Sequence, residues 1–368
     1  MVWLLALAAG LVAYANGAND NFKGVATLFG SGTTSFRRAL TWATVTTLAG
    51  SGAAILASAT LVKSFSGKGL VPDPLTTDLH FLGAVGGGAA LTVLVATCLA
   101  IPVSTTHALV GGLIGAGLAA PGSQVSLAAL QTSFVLPLLM SPLAAILLTL
   151  MLYLPARVAR SKLGVEEETC LCIGNREEVV QIRPDGSGVL VSSGITLAVG
   201  QLARCRSRYV GTFLGVPADK VLEAAHFISA GAVSFARGLN DTPKIAALLV
   251  AGSLLGVGSS SLVVAVVIAV GGLLSARRVA ETMGHRITVM NEGQGLSANL
   301  ATAMLVIVAS LWGLPVSTTH VSVGALFGIG LANRRADTFR ILGIVGAWVG
   351  TLPLAGVFAA LLYAGFRT

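Results

Sequence analysis

The sequence is poor in charge. Only 10% of its 368 residues are Asp, Glu, Lys or Arg, where a soluble domain carries about 25%. That shortage argues against a soluble enzyme and against a disordered chain. Acidic residues are the scarcer sign, 15 against 23 Lys and Arg, for a net charge of +8. The excess cations sit between long uncharged segments rather than along one stripe. This is the pattern of membrane-flanking charge, and no nucleic-acid partner is expected. Cysteine is scarce too. Cys98, Cys170, Cys172 and Cys205 form no disulfide-like framework, and reduced thiols are expected. A Zn²⁺ site at Cys170-x-Cys172 with Cys205 lacks a fourth ligand. No basic stretch precedes the first apolar segment, so a cleaved signal peptide is not expected.

What is present is apolar surface, 54% of residues, and 45 glycines without a collagen-like period. The uncharged runs Ala39–Val62, Leu79–Ala156, Ile245–Ala276, Gly293–Asn333 and Ile341–Phe366 each reach the ~20 residues of a spanning helix, and several hold more than one. No strand-like alternation appears, and in hydrocarbon the helix is the remaining way to satisfy the backbone. Ten to twelve membrane-embedded helical segments are expected, with glycine serving close helix packing. Between Pro155 and Ala218 charges cluster, and Val179–Ser193 places a Pro-Asp-Gly turn between β-prone flanks, suggesting a small hairpin. The predicted organisation is a transmembrane repeat over 1–154, a cytoplasmic linker over 155–218 and a second, inverted repeat over 219–368.

The repeat is explicit. Pro102-Val-Ser-Thr-Thr-His107 recurs as Pro315-Val-Ser-Thr-Thr-His320, and Asn19-Asp20-x-x-Lys23 recurs as Asn240-Asp241-x-x-Lys244, in the same order and at nearly the same offset. Each half holds an odd number of spans, whether the helices flanking the Ser-Thr-Thr tip cross fully or form a re-entrant hairpin. The halves are therefore expected to be inverted, as in many secondary transporters. The fold class is an all-α integral membrane protein of two inverted-topology repeats with broken or re-entrant helices.

The polar residues inside these segments are expensive. An ionised side chain at a helix centre costs roughly 2.5–3.5 kcal/mol and usually faces a cavity or a partner. Asp20, Lys23, Arg237, Asp241 and Lys244 all fall in this class. The bland alternative is a pair of intrahelical ion pairs at i, i+3. The first segment, Trp3–Ser35, is too long for one straight span and must tilt or break, with Gly17, Gly24, Gly30 and Gly32 as candidate places. Pro243 suggests a restart that leaves Asp241 near an unwound turn. At the tips, Ser104 and Ser317 are suited to cap the helices that follow. The free amides there, with the hydroxyls of Thr105, Thr106, Thr318 and Thr319, suit an oxyanion. Capping at a membrane surface is the structural alternative. His107 and His320 suit capping, proton relay or packing. A Ser104–His107 catalytic pair lacks an acid partner, so no enzyme is expected.

The paired Gly17-Ala-Asn-Asp20 and Gly238-Leu-Asn-Asp241, the repeated Pro-Val-Ser-Thr-Thr-His and Gly293-Gln-Gly295 resemble the signature of the inorganic phosphate transporter (PiT) family. The resemblance implies a symporter that moves phosphate with Na⁺ or H⁺ and needs no cofactor. It places Asn19, Asp20, Asn240 and Asp241 at the cation and substrate sites, with a Na⁺ ion at Asp20 and Asp241. It gives the oxyanion to Ser104, Thr105, Thr106, Ser317, Thr318 and Thr319. The chain departs from the family where Asn-Asp usually continues Val-Ala-Asn-Ala and where Arg237 replaces a histidine. Lys23, Arg237 and Lys244 would tune the charge, partly replacing Na⁺ and leaning coupling toward H⁺. The partners implied are phosphate, with sulfate as an alternative, and the lipid bilayer; a homo-oligomer is left open. An anion channel or a membrane sensor acting through 155–218 are the rival classes.

Placing the loop after the first helix on one side collects Arg37, Arg38, Arg157, Arg160, Lys162, Arg277, Arg278, Arg286, Arg334, Arg335 and Arg340 there, against Lys63, Lys68 and Arg367 opposite. By the positive-inside rule both termini lie outside the cytoplasm and the linker inside. A reporter fused at Ser187 is expected to be cytoplasmic; a periplasmic signal contradicts this topology.

Overall fold

A computed structural model describes residues 1–57, 59–122, 124–166, 169–182, 188–201, 214–285, 287 and 289–367. The chain divides into two units, Met1–Tyr153 with Phe227–Thr368, and Leu154–His226. The helices are α1 (Val2–Asp20), α2 (Ala26–Gly30), α3 (Phe36–Ala57), α4 (Ala59–Phe65), α5 (Leu79–Cys98), α6 (Thr105–Ala119), α7 (Leu127–Leu130) and α8 (Leu136–Leu163). After the linker come α9 (Ala218–Ala251), α10 (Val257–Ser275), α11 (Arg277–His285), α12 (Glu292–Leu311), α13 (Thr318–Asn333) and α14 (Thr338–Arg367).

Seven helical segments among the described residues are long and apolar enough to cross a membrane: Val2–Gly30, Phe36–Ala57, Leu79–Cys98, Leu127–Leu163, Val257–Ser275, Glu292–Leu311 and Ile341–Arg367. The lower end of the expected number is reached only by adding α9, which carries Arg237, Asp241 and Lys244, and the short α6 and α13. At 1.5 Å per residue α6 and α13 rise about 22 and 24 Å, less than the ~30 Å hydrocarbon core. Polarity on α8 is inside out. Leu139, Leu143, Leu147 and Met151 are exposed along one face, while Ser141, Ala145 and Thr149 are buried on another. Such a stripe is stable against lipid and costly against water.

The first segment breaks where its polar residues begin. α1 ends at Asp20, a 3₁₀ turn runs Asn21–Val25, and α2 resumes at Ala26. Three residues per turn align Asp20 with Lys23 on one face. The second half does otherwise. α9 runs unbroken through Pro243, so the expected restart and unwound turn are absent. Proline removes one N–H from the ladder, a loss that neighbouring groups in a helical membrane protein can make good without unwinding.

Glycines set the spacing of the core helices. A Cβ on Gly17 of α1 would collide with the Ile268 carbonyl of α10, and one on Gly271 of α10 with the Tyr14 carbonyl of α1. Gly50 of α3 and Gly238 of α9 stand in the same mutual relation, against the carbonyls of Phe235 and Thr47. Each motif helix therefore packs on the second helix of the other half. α14 in turn packs on α5 and α6.

The linker unit corrects the all-α expectation to mostly helical. β1 (Thr169–Ile182) pairs antiparallel with β2 (Gly188–Gln201), and β3 (Leu214–Pro217) adds to the other edge of β1, giving the order β2-β1-β3. The hairpin is longer than Val179–Ser193 predicts, because the alternating β-prone residues continue into Cys170-Leu-Cys-Ile173 and Ile195-Thr-Leu-Ala-Val199. Its Pro-Asp-Gly turn and Cys205 lie outside the described residues. Cys170 is a buried free thiol.

Gly17→Ala is expected to lower stability by about 1–3 kcal/mol through overpacking. Gly10→Ala, with open space around it, should be neutral or stabilising by at most about 1 kcal/mol. Thermal unfolding in detergent compares the two; equal midpoints contradict the close α1–α10 approach.

Candidate functional site

The two Ser-Thr-Thr tips are not at a solvent surface. Ser104, Thr105, Thr106, Ser317, Thr318 and Thr319 are all buried, as are Asn19, Asp20, Lys23, Arg237, Asn240, Asp241 and Lys244. The most exposed of these thirteen, Thr318, reaches 5%. All lie in the helical unit.

Each tip forms as its residues dictate. An extended stretch leads from α5 to Ser104, whose hydroxyl accepts from the His107 amide at 3.1 Å and caps α6. Ser317 caps α13 by accepting from the His320 amide at 3.3 Å. The amides of the next two threonines in each tip have no intrahelical acceptor, and the positive dipole end faces the same way. The histidine rings anchor the tips from behind. His107 Nδ1 donates to the Trp348 carbonyl at 3.2 Å, and His320 Nδ1 to the Leu138 carbonyl at 3.1 Å. The two rings meet edge to face, 4.5 Å between centroids, and His320 stacks on Trp348. Of the three roles open to them in the sequence, cap partner and packing match these contacts.

The tips cross-brace. The Thr319 hydroxyl donates to the Val103 carbonyl at 2.8 Å, and that of Thr106 to the Val316 carbonyl at 3.5 Å. The Asn-Asp motifs fill the space between. Thr105 donates to Asp20 Oδ2 at 3.1 Å and Thr318 to Asp241 Oδ2 at 3.4 Å. Lys23 Nζ bonds to Asp20 Oδ1 and donates to Asn19 Oδ1 (3.0 Å), the Val103 carbonyl (2.8 Å) and Thr319 Oγ1 (2.7 Å). Lys244 Nζ donates to the Val316 carbonyl (2.6 Å), Thr106 Oγ1 (2.9 Å) and, more loosely, Asp241 Oδ1 (3.5 Å). Both ion pairs keep the i, i+3 spacing of the bland alternative, that of Asp241 within α9 and that of Asp20 across the end of α1 into the 3₁₀ turn. Each lysine also reaches both tips, which an intrahelical pair alone does not require.

Asn19 and Asn240 tie the motif helices to the tips. Asn19 Nδ2 donates to the Ile101 carbonyl at 3.1 Å, and Asn240 Nδ2 to the Val316 carbonyl at 3.2 Å. One residue escaped the sequence reading. Asn16 Nδ2 lies within hydrogen-bond distance of Asp20 Oδ2 (3.0 Å), Thr105 Oγ1 (3.1 Å) and Asp241 Oδ2 (3.3 Å), linking the two aspartates. Its Oδ1 accepts from Arg237 Nη1 at 3.0 Å, while Arg237 Nη2 donates to Asn21 Oδ1 at 3.3 Å. Arg237 Nε has no hydrogen-bond partner among the described residues. The offset that carries Asn19 onto Asn240 carries Asn16 onto Arg237, so the repeat itself held the signal.

This arrangement gathers two helix amino ends, four threonine hydroxyls and an arginine around a pair of carboxylates, all away from water; the hydroxyl protons, held here by Asp20, Asp241 and the Val103 and Val316 carbonyls, would turn to a bound anion. A tetrahedral oxyanion is the ligand that such a donor set suits.

The fold and sequence have known counterparts. A solved structure described as the sodium-dependent phosphate transporter superimposes with a TM-score of 0.76, covering 100% of this chain and 98% of that one at 21% identity. A relative in Pyrococcus abyssi described as a phosphate permease is 26% identical over 98% of this chain and 96% of its own length. One in Rhizobium meliloti, described as a low-affinity inorganic phosphate transporter, is 29% identical over 81% of this chain and 77% of its own. The sequence model of the phosphate transporter family, PHO4, matches residues 16–359. With its paired motifs gathered into one buried cluster and the family's pattern running almost end to end, the chain belongs to the phosphate transporter family.

Proposed function

We propose that this protein carries inorganic phosphate across the cell membrane by symport with a cation, Na⁺ or H⁺. The observation that carries this is the meeting of both hydroxyl tips with both aspartates in one cluster closed to solvent. The tip threonines and capping serines bind the oxyanion, and Asn19, Asp20, Asn240 and Asp241 couple it to the cation. Lys23, Arg237 and Lys244 set the charge of the site. The two halves are inverted repeats, a plan supported by the exchange of matching contacts between them. The lengths of α6 and α13 favour re-entrant tips over full crossings. Alternating access then requires one half to move against the other so that the closed site opens to each side in turn.

Both termini outside and 155–218 inside the cytoplasm remain the topology favoured by charge bias.

Sulfate is the second reading, and one feature favours it. All four carboxylate oxygens already have partners: Lys23 on Asp20 Oδ1, Asn16 and Thr105 on Asp20 Oδ2, Asn240 and Lys244 on Asp241 Oδ1, and Thr318 and Asn16 on Asp241 Oδ2. A carboxylate free to accept the phosphate proton would discriminate strongly; hydroxyl and amide donors discriminate less.

Proteoliposomes with imposed Na⁺ or pH gradients should accumulate radiolabelled phosphate, with sulfate as a weaker competitor. Asp20→Asn and Asp241→Asn each leave a buried cation without its counter-charge and should cut uptake by roughly 100-fold or more. Current without accumulation would assign a channel instead. Sulfate accumulation with no phosphate uptake would reverse the substrate.

A further inference from the structure

Among the described residues the buried lysines are Lys23 and Lys244, at 3% and 2% exposure. Neither ammonium faces the solvent, and neither pairs with its aspartate alone. Lys23 Nζ has four oxygen neighbours: the Asp20 carboxylate, the Asn19 amide oxygen, the Val103 carbonyl and the Thr319 hydroxyl. Lys244 Nζ has the matching carboxylate, carbonyl and hydroxyl from Asp241, Val316 and Thr106. In both halves the carbonyl is that of the residue before the capping serine, and the hydroxyl comes from the opposite tip.

Carboxylate, carbonyl and hydroxyl oxygens converging on one point are what a small hard cation also needs. An ammonium satisfies the same oxygens with its three N–H groups. Each lysine thus stands where a dissociable metal ion would sit. Charge agrees with geometry. Lys23, Lys244 and Arg237 against Asp20 and Asp241 leave one formal positive charge. That surplus meets an anion without any added metal.

We propose that Lys23 and Lys244 are tethered cations: their ammonium groups hold the two oxygen cages permanently, so that anion binding and transport need no Na⁺. This rests on the transport reading above and deepens it, leaving the proton as the coupling ion.

The test has two arms. In the first, wild-type proteoliposomes take up radiolabelled phosphate under a pH gradient, with Na⁺ replaced by K⁺ or N-methylglucamine at constant ionic strength. The rate is expected to change by less than about twofold, the screening of any exposed charge being held fixed. Uptake that collapses without Na⁺ at every pH overturns the proposal.

The second arm opens the cages with the double variant Lys23→Ala, Lys244→Ala. Its uptake should fall about 100-fold without Na⁺ and recover at least about tenfold with it, as a cation binding the folded protein would supply the missing charge. Its melting temperature in detergent should rise with Na⁺, while that of the wild type should not differ between Na⁺ and K⁺. A double variant as indifferent to Na⁺ as the wild type, or a wild type stabilised by Na⁺ over K⁺, overturns the proposal. Where the double variant does not fold, Lys244→Ala, in the looser cage, gives the same readout. If the wild type takes up no phosphate in any medium, the transport reading fails, and the melting data still decide the cages.

Discussion

Among the described residues two aspartates, two lysines and an arginine are buried in a protein whose outer surface is made for lipid, and they can persist there only as a closed network. Asp20 and Asp241 lie at its centre, joined through Asn16. Lys23 and Lys244 face them, and Arg237 holds Asn16 from the far side. An unpaired charge in that interior costs several kcal/mol. The network therefore dictates local backbone. α1 gives way to a 3₁₀ turn where Asp20 and Lys23 must align, and the tips stop short of helix so that the Val103 and Val316 carbonyls reach the lysines.

The same constraint ties the halves together. Lys23 begins in the first repeat and ends on Thr319 of the second; Lys244 begins in the second and ends on Thr106 of the first. The glycine contacts follow the same exchange, α1 on α10 and α9 on α3. Neither half can complete its polar network or bury its small-residue faces alone. A site built at such an interface changes when one half shifts against the other, which is what a carrier requires and a fixed pore does not.

Much of this was legible in residue order because polar groups are rare in the membrane segments. A duplicated Pro-Val-Ser-Thr-Thr-His stands out against alanine, leucine and glycine, and the capping geometry of Ser104 and Ser317 follows from residue type. Other features depend on which helices become neighbours. The repeat aligns Asn16 with Arg237, but only the fold brings Thr105 and Asp241 against it. Pro243 suggested a break, yet α9 continues through it. The histidine rings are equally ambiguous in sequence, and the packing of Trp348 on His320 decides how they are used.

On the proposed function a tetrahedral anion sits between the amino ends of α6 and α13, gripped by Thr105, Thr106, Thr318 and Thr319 beside the two aspartates. Arsenate is a tetrahedral mimic of phosphate with an anomalous X-ray signal. Crystals grown with arsenate should show one anomalous peak within hydrogen-bond reach of both tips. A peak elsewhere in the protein, with none between the tips at saturating arsenate, would rule out an anion site there.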